Sequence, residues 1–371
     1  MLQSISDFNS NINGLINHLK YERNCQLFFQ AGVKKYNGNS DFEREFQSFV
    51  CKRIKPSLTA SKVYSYKNGI ISLYGFLERF VEDAILEYLR EICRQAPDYA
   101  SLPSAIKINH LDVSLDHISK IKRNRALSDI QRKLQLREAV KNMNDCLIAV
   151  PEYTINLDAF INHSSNFRYD SIHEIFFRIG VPGISNLCLN NDKLAIALSR
   201  KHSSAKSLDK KILTSSLIKE LNDLAQRRNE IAHGARVDEI ESPDLLEERI
   251  YIIKKYVNAL NEILFNYVDG YIFKTIDKIE LGIPSKAYGG MGVLEFEGLA
   301  SEKSGRIAVG DKIFAVNNDS SNTMLSGSII SLRDQKGGVE NLSYPCHEPF
   351  CIGVNFDLNS HILKRKIYVG Q

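Results

Sequence analysis

Three side chains in the second half of the chain have types and spacing suited to chemistry on a phosphodiester: Arg228, Asn229 and His233. An imidazole titrates near neutral pH and can take or give a proton. A guanidinium is planar and always charged, so it can stabilise negative charge growing on phosphoryl oxygens. A carboxamide can hold a phosphate or orient the histidine. The stretch Leu221–Gly234 reads LNDLAQRRNEIAHG. Leu217, Leu221, Leu224 and Ile231 keep the spacing of one buried helix face, and Gly234 supplies a stop after the last turn. Asn229 and His233, four apart, share a face. Arg228 and His233, five apart, lie about 140° apart on an ideal helix at ~100° per residue. Either the helix unwinds near Ala232–Gly234, or the site is assembled from two copies of the helix across a two-fold axis. A homodimer is therefore expected. By itself the group also fits a capping and ion-pair arrangement, because a histidine near a helix C-terminus is favourable in its own right.

Other helices must position these groups. From Thr59 a long helix is predicted, with Ile70, Leu73, Tyr74, Leu77, Phe80, Val81, Ala84, Tyr88 and Leu89 at helical spacing. Glu78 sits on or beside this stripe. It reads either as a rim charge within the bundle or as a group pairing with Arg227 or Arg228 to orient the site. Glu78, Arg227 and Glu230 are thus the supporting candidates. After the motif, Ser242-Pro243 is a good N-cap and first-turn pair, opening a helix expected to run to about Ile279. Residues 1–58 read as a helical extension in two pieces, about 4–30 and 40–53, broken at Asn37-Gly38-Asn39 and closed by Pro56.

Arg228-Asn229-Glu230-Ile231-Ala232-His233 resembles the Arg-Asn-x3-His motif of the HEPN superfamily. Two further stretches resemble its RiboL-PSP-HEPN family. Lys67–Leu89, with Tyr74, Gly75, Phe76, Leu77 and Glu78, is similar to the first core helix. Tyr169–Val181 is similar to the short helix before the motif. The resemblance covers roughly residues 60–270. It implies an all-α bundle and a metal-independent endoribonuclease that leaves a 2′,3′-cyclic phosphate and a 5′-hydroxyl. Arg228, Asn229 and His233 would be catalytic, with no cofactor and no metal. It also implies RNA as partner, tRNA or rRNA among the options, and a prokaryotic toxin–antitoxin or anti-phage setting with an antitoxin or defence partner. The alternatives are a non-catalytic HEPN RNA-binding, sensor or scaffold protein, and a toxin controlled by nucleotide modification of a nearby Tyr or Ser.

Between Lys120 and Lys141 stand Lys120, Lys122, Arg123, Arg125, Arg132, Lys133, Arg137 and Lys141 against Asp129 and Glu138. This is a solvated helix face or a surface that tracks RNA phosphates; Lys120, Lys122, Arg123, Arg125, Arg132 and Lys133 are the candidate contacts. A second basic group, Arg200, Lys201, Lys206, Lys210 and Lys211, lies among serines and reads as a loop before the motif helix. The net charge of +4 over 371 residues does not by itself require a nucleic acid. Seven scattered cysteines without a pairing pattern fit reduced thiols in a cytoplasm. The polar start gives no signal peptide and no apolar run is long enough for a membrane span.

Near Gly282-Pro284 the pattern changes to alternating strands: Gly292–Glu297, Arg306–Val316, Ser328–Arg333, Phe350–Phe356 and Lys366–Val369. The expected architecture is mainly α: a helical extension (1–58), a HEPN-like helical domain (59–281) and a small C-terminal β-barrel (282–371). The run Ser304–Asn318 is similar to the barrel second domain of translation GTPases, although no P-loop is present. Cys346, His347 and Cys351 offer three zinc donors without a fourth, so no zinc site is assigned.

Overall fold

The computed structural model describes residues 3–35, 40–163, 166–200, 209–234, 240–298, 304–317, 324–358 and 361–370. Two compact units divide the chain: 1–93 with 97–263, and 94–96 with 264–371.

The first unit is helical. Its elements are α1 (Gln3–Lys35), α2 (Asp41–Phe49), α3 (Lys55–Gln95), α4 (Ser104–Arg123), α5 (Asp129–Leu147), α6 (Leu157–Phe160), α7 (Tyr169–Arg178), α8 (Ile184–Cys188), α9 (Asp192–Ser199), α10 (Lys210–Ala232) and the start of α11 (Pro243–Thr275). The stop expected at Pro56 does not occur. Helical winding passes from α2 through a π turn, Val50–Ile54, into α3, and the Lys55 N–H bonds the Val50 carbonyl five residues back. Proline has no N–H to donate and its ring crowds the carbonyl one turn earlier; the widened turn just ahead of it relieves that crowding.

The predicted apolar stripes form the core. Ile70, Leu73, Leu77, Val81 and Leu89 of α3, Leu217, Leu221 and Leu224 of α10, and Ile250, Ile253, Val257 and Leu260 of α11 are all buried. Each such side chain contributes about 1.5–3 kcal/mol. Ser242 caps α11 as expected, its hydroxyl accepting from the Leu245 N–H at 3.3 Å. The helix ends at Thr275, short of the expected 279. Residues 278–282 instead alternate exposed and buried and form the first strand.

A polar knot ties α4, α5 and the segment before α6. Asn156 donates its backbone N–H to buried His110 Nε2 at 3.1 Å. Its side-chain amide donates to Ser114 Oγ at 3.0 Å and to the Ala139 carbonyl at 2.9 Å.

The second unit is a curled half-barrel. Its strands are β1 (Lys278–Gly282), β2 (Lys286–Tyr288), β3 (Val293–Phe296), β4 (Gly305–Ala308), β5 (Lys312–Asn317), β6 (Leu325–Asp334), β7 (Gly337–Val339), β8 (Asn341–Tyr344), β9 (Phe350–Val354) and β10 (Arg365–Gly370). The antiparallel path is β1-β10-β5-β6-β9-β3-β2, with β7 on β6 and a separate β4–β8 pair. The expected strand 306–316 splits in two. At Val309-Gly310-Asp311 the chain turns: Gly310 has φ +98°, and the Asp311 carboxylate accepts from the Ala308 N–H at 2.7 Å. Leu294, Phe296, Ile307, Ile313, Ile329, Leu332, Phe350, Ile352 and Ile367 fill the inner side.

Candidate active site

Helix α10 carries the motif on its last turn, and its two neighbouring arginines have different surroundings. Arg227 joins a partly buried ion cluster. It donates to Asp223 at 2.8 Å and to the Tyr66 hydroxyl of α3 at 2.7 Å, and lies 3.7 Å from Glu241. Arg249 of α11, 4 % exposed, completes the cluster against Glu220 at 3.4 Å, Asp223 at 2.6 Å and Glu241. Burial works against the charge on Asp223, but the bonds from Arg227 and the charge of Arg249 hold its carboxyl below the usual range. Arg227 thus braces α10 against α3 and α11.

Arg228 instead lies over the ring of Tyr74, its guanidinium carbon 5.2 Å from the ring centroid, a cation–π geometry. It also donates to Asn229 Oδ1 at 3.3 Å. The Tyr74 hydroxyl donates to Glu78 at 3.2 Å and accepts the Phe167 N–H at 2.8 Å. Burial, reinforced by the Glu78 charge, raises the Tyr74 pKa well above that of a free phenol, so it stays a donor. The link between Glu78 and Arg228 therefore runs through the Tyr74 ring; the described polar contact of Glu78 is to Tyr74, not to either arginine.

A polar stripe at helical spacing continues along α10. Asn222 Oδ1 accepts the Tyr169 N–H at 3.0 Å, Gln226 Oε1 accepts from Arg168 at 3.0 Å, and Asn229 Oδ1 accepts from Asn166. The segment entering α7 is thereby fastened along α10 at three points, one of them the motif asparagine. On the same segment His163 meets Glu82 of α3 at 3.0 Å. Glu230 is exposed and accepts from Gln226 at 2.9 Å.

His233 closes the helix. Its ψ of 5° departs from α-helical values while its N–H still bonds the Asn229 carbonyl, and Gly234 follows at φ +70°. The helix thus ends at His233 and Gly234. The ring is exposed and has no polar partner among the described residues. The described side-chain contacts join Arg228 to Asn229 and include none from the His233 ring to either.

The sequence alone does not single out Asn166 or the pair Asn222 and Gln226, and it marks Tyr74 as a member of an apolar stripe and of the family-like run Tyr74–Glu78 without giving its contacts. The spacing 222, 226, 229 on a predicted helix was a readable signal; Asn166, in an irregular segment, had none.

The basic residues surround the α4–α5 turn. Lys120, Lys122, Arg123, Arg125 and Lys133 are exposed. Arg132 is occupied with the turn itself, donating to the Asn124 carbonyl at 3.2 Å, the Leu127 carbonyl at 3.0 Å and Asp129 at 2.9 Å. Of the second basic group, Arg200 lies over the Tyr251 ring and Lys210 donates to Asn190 at 3.0 Å. Lys201, Lys206 and the neighbouring serines lie outside the described residues. No described helix is long and apolar enough to cross a membrane.

A helical bundle presenting Arg-Asn-x3-His at the end of a packed helix defines a HEPN-type protein. The RiboL-PSP-HEPN family profile matches residues 40–266, more than half of the chain, and the protein belongs to that family. Its function is accordingly of ribonuclease type or otherwise RNA-related. No curated protein matches the sequence.

Proposed function

We propose that the protein is a metal-independent endoribonuclease acting in a toxin–antitoxin or anti-phage system. One observation supports this above the others. Arg228 is held over Tyr74 and bonded to Asn229, while His233 stands exposed where the helix ends. RNA differs from DNA by the 2′-hydroxyl, which attacks the adjacent phosphorus once its proton is removed. In this reading His233 takes that proton and Arg228 stabilises the phosphorane. Asn229 positions the phosphate. The bond from phosphorus to the 5′ oxygen breaks, and the departing oxygen takes a proton. The products are a 2′,3′-cyclic phosphate and a 5′-hydroxyl. In a homodimer the second His233, protonated, is the natural source of that proton. The exposed cations of the α4–α5 turn would track neighbouring phosphates.

The test is cleavage of total tRNA and rRNA in EDTA, with end-group analysis. Wild type is expected to release cyclic-phosphate ends. His233→Ala should lower the rate by about 10²–10⁴-fold, and Arg228→Ala by about 10²–10³-fold, both with the fold intact by circular dichroism. Cleavage that persists in His233→Ala removes the assignment. Absence of cleavage by folded wild type, with RNA still bound, points to a non-catalytic RNA-binding or sensor module.

A further inference from the structure

Residues 20–64 form an arm of the helical unit: the second half of α1, α2, the π turn and the first turns of α3. α1 approaches α2 where Gly32 leaves room for the Phe46 ring; a Cβ there would lie 3.3 Å from it. The arm joins the bundle beside the motif. Ser61 donates to Glu22 at 3.2 Å, and Arg23 donates to Asp244 at the start of α11 at 2.8 Å. Tyr66, just past the arm, accepts from Arg227 at 2.7 Å. Of the seven exposed aromatic side chains among the described residues, five belong to the arm: Tyr21, Phe28, Phe42, Phe49 and Tyr64, each more than half exposed. The arm also carries nine Lys and Arg against four acids, more than the whole chain's excess of +4. Three of those acids are occupied: Glu22 with Ser61, Asp41 with Arg44, and Glu43 in the cap of α2. Lys52 and Arg53, one turn beyond Phe49, are exposed and have no anionic partner among the described residues. Lys67 follows Tyr64 one turn on, a spacing that puts ring and cation on one helix face.

Clustered exposed rings mark an interaction surface, and charge selects what covers it. A second copy would bring the same positive excess against the arm, which disfavours self-association through this face. A polyanion with flat apolar faces answers both features: phosphates meet the cations and bases stack on the rings. In a duplex the base faces are already stacked on one another, so unpaired RNA is the form that offers them. We propose that the arm is a stacking surface for unpaired RNA and leads the strand to the motif end of α10. From Phe49 to Tyr66 the helical path is about 25 Å long at 1.5 Å per residue, room for several nucleotides. This rests on the RNA-directed reading above and adds the form of the RNA and the surface that holds it.

The test uses the full chain carrying His233→Ala, so that RNA is read uncut. Binding of a short unstructured RNA strand, and of the duplex of the same length, is followed by fluorescence anisotropy. The strand is expected to bind at least about tenfold tighter than the duplex. Adding Phe49→Ala or Tyr64→Ala should weaken strand binding by about 5- to 150-fold, the worth of one stacked base, with helicity unchanged by circular dichroism. Adding Lys52→Gln should weaken it too and lower the slope of log affinity against log salt by about 0.7. The proposal is overturned if both ring variants bind the strand as their parent does, or if the duplex binds as tightly as the strand. It is also overturned if the ring variants only turn a dimer into a monomer in sedimentation, with RNA affinity unchanged; the arm is then a self-association face. Cleavage by the chain with His233 intact is scored separately. Ring-dependent binding without cleavage keeps the arm and removes the nuclease, and cleavage with ring-independent binding does the reverse.

Discussion

At the scale of single residues, Tyr74 connects most of the motif's surroundings. Its ring supports Arg228, and its hydroxyl joins Glu78 on α3 to the backbone of Phe167. Removing only the hydroxyl leaves the Phe167 N–H and a half-buried carboxylate without a partner. Tyr74→Phe is therefore expected to cost about 1–3 kcal/mol in urea unfolding. The ring, and hence the support of Arg228, survives. Tyr74→Leu removes both, adding about 0.5–2 kcal/mol for the lost cation–π contact. It should also lower any cleavage rate further than Tyr74→Phe does; equal rates in the two variants would mean the ring does not matter to Arg228. Arg228, Asn229 and His233 stand out as candidates in the sequence because two further stretches that resemble the same family accompany them in order. Tyr74 was legible as a member of a helical stripe and of the family-like run Tyr74–Glu78, but spacing reports burial and not what a hydroxyl touches.

At the scale of elements, α10 is set by a partly buried ion cluster and by a polar seam. Arg249 is the most enclosed member of the cluster, with Glu220, Asp223 and Glu241 around it. Two guanidiniums face three carboxylates, so losing one leaves buried negative charge uncompensated. Arg249→Met is expected to destabilise the protein by about 3–5 kcal/mol, read as a lower urea midpoint. A change below about 1 kcal/mol would mean that water reaches the cluster. The helices themselves were legible, because α3, α10 and α11 each carry an uninterrupted apolar stripe. Their ends were less so. The strand 278–282 continues an apolar pattern from α11, and only the switch from a helical to an alternating period separates them. The passage through Pro56 depends on a π turn, which leaves no mark in composition.

At the scale of the whole molecule, the mainly α architecture with a β unit was legible in the change of period near Gly282, whereas β2 and β7 close hairpins on β3 and β6 with strands too short to show an alternating period, and β8 is defined by β4, a partner distant in sequence. Global stability should also carry the signature of His110, which is 1 % exposed. Burial lowers its pKa from 6.5 to about 4. Below pH about 6.5 the unfolded chain takes up a proton that the folded one refuses until about pH 4. Stability therefore falls as pH drops through that window, by about 3 kcal/mol from this group. Urea midpoints at pH 7 and 4.5 should differ accordingly, and His110→Gln should flatten the difference while lowering stability at pH 7. A wild-type midpoint independent of pH would exclude this. Finally, the segment entering α7 has no backbone ladder of its own, yet the Phe167 and Tyr169 amides are held by a phenol and a carboxamide. In deuterated water those two amides should exchange slowly, like amides inside a helix, and a ligand that draws Arg228 or Asn229 away should release them together.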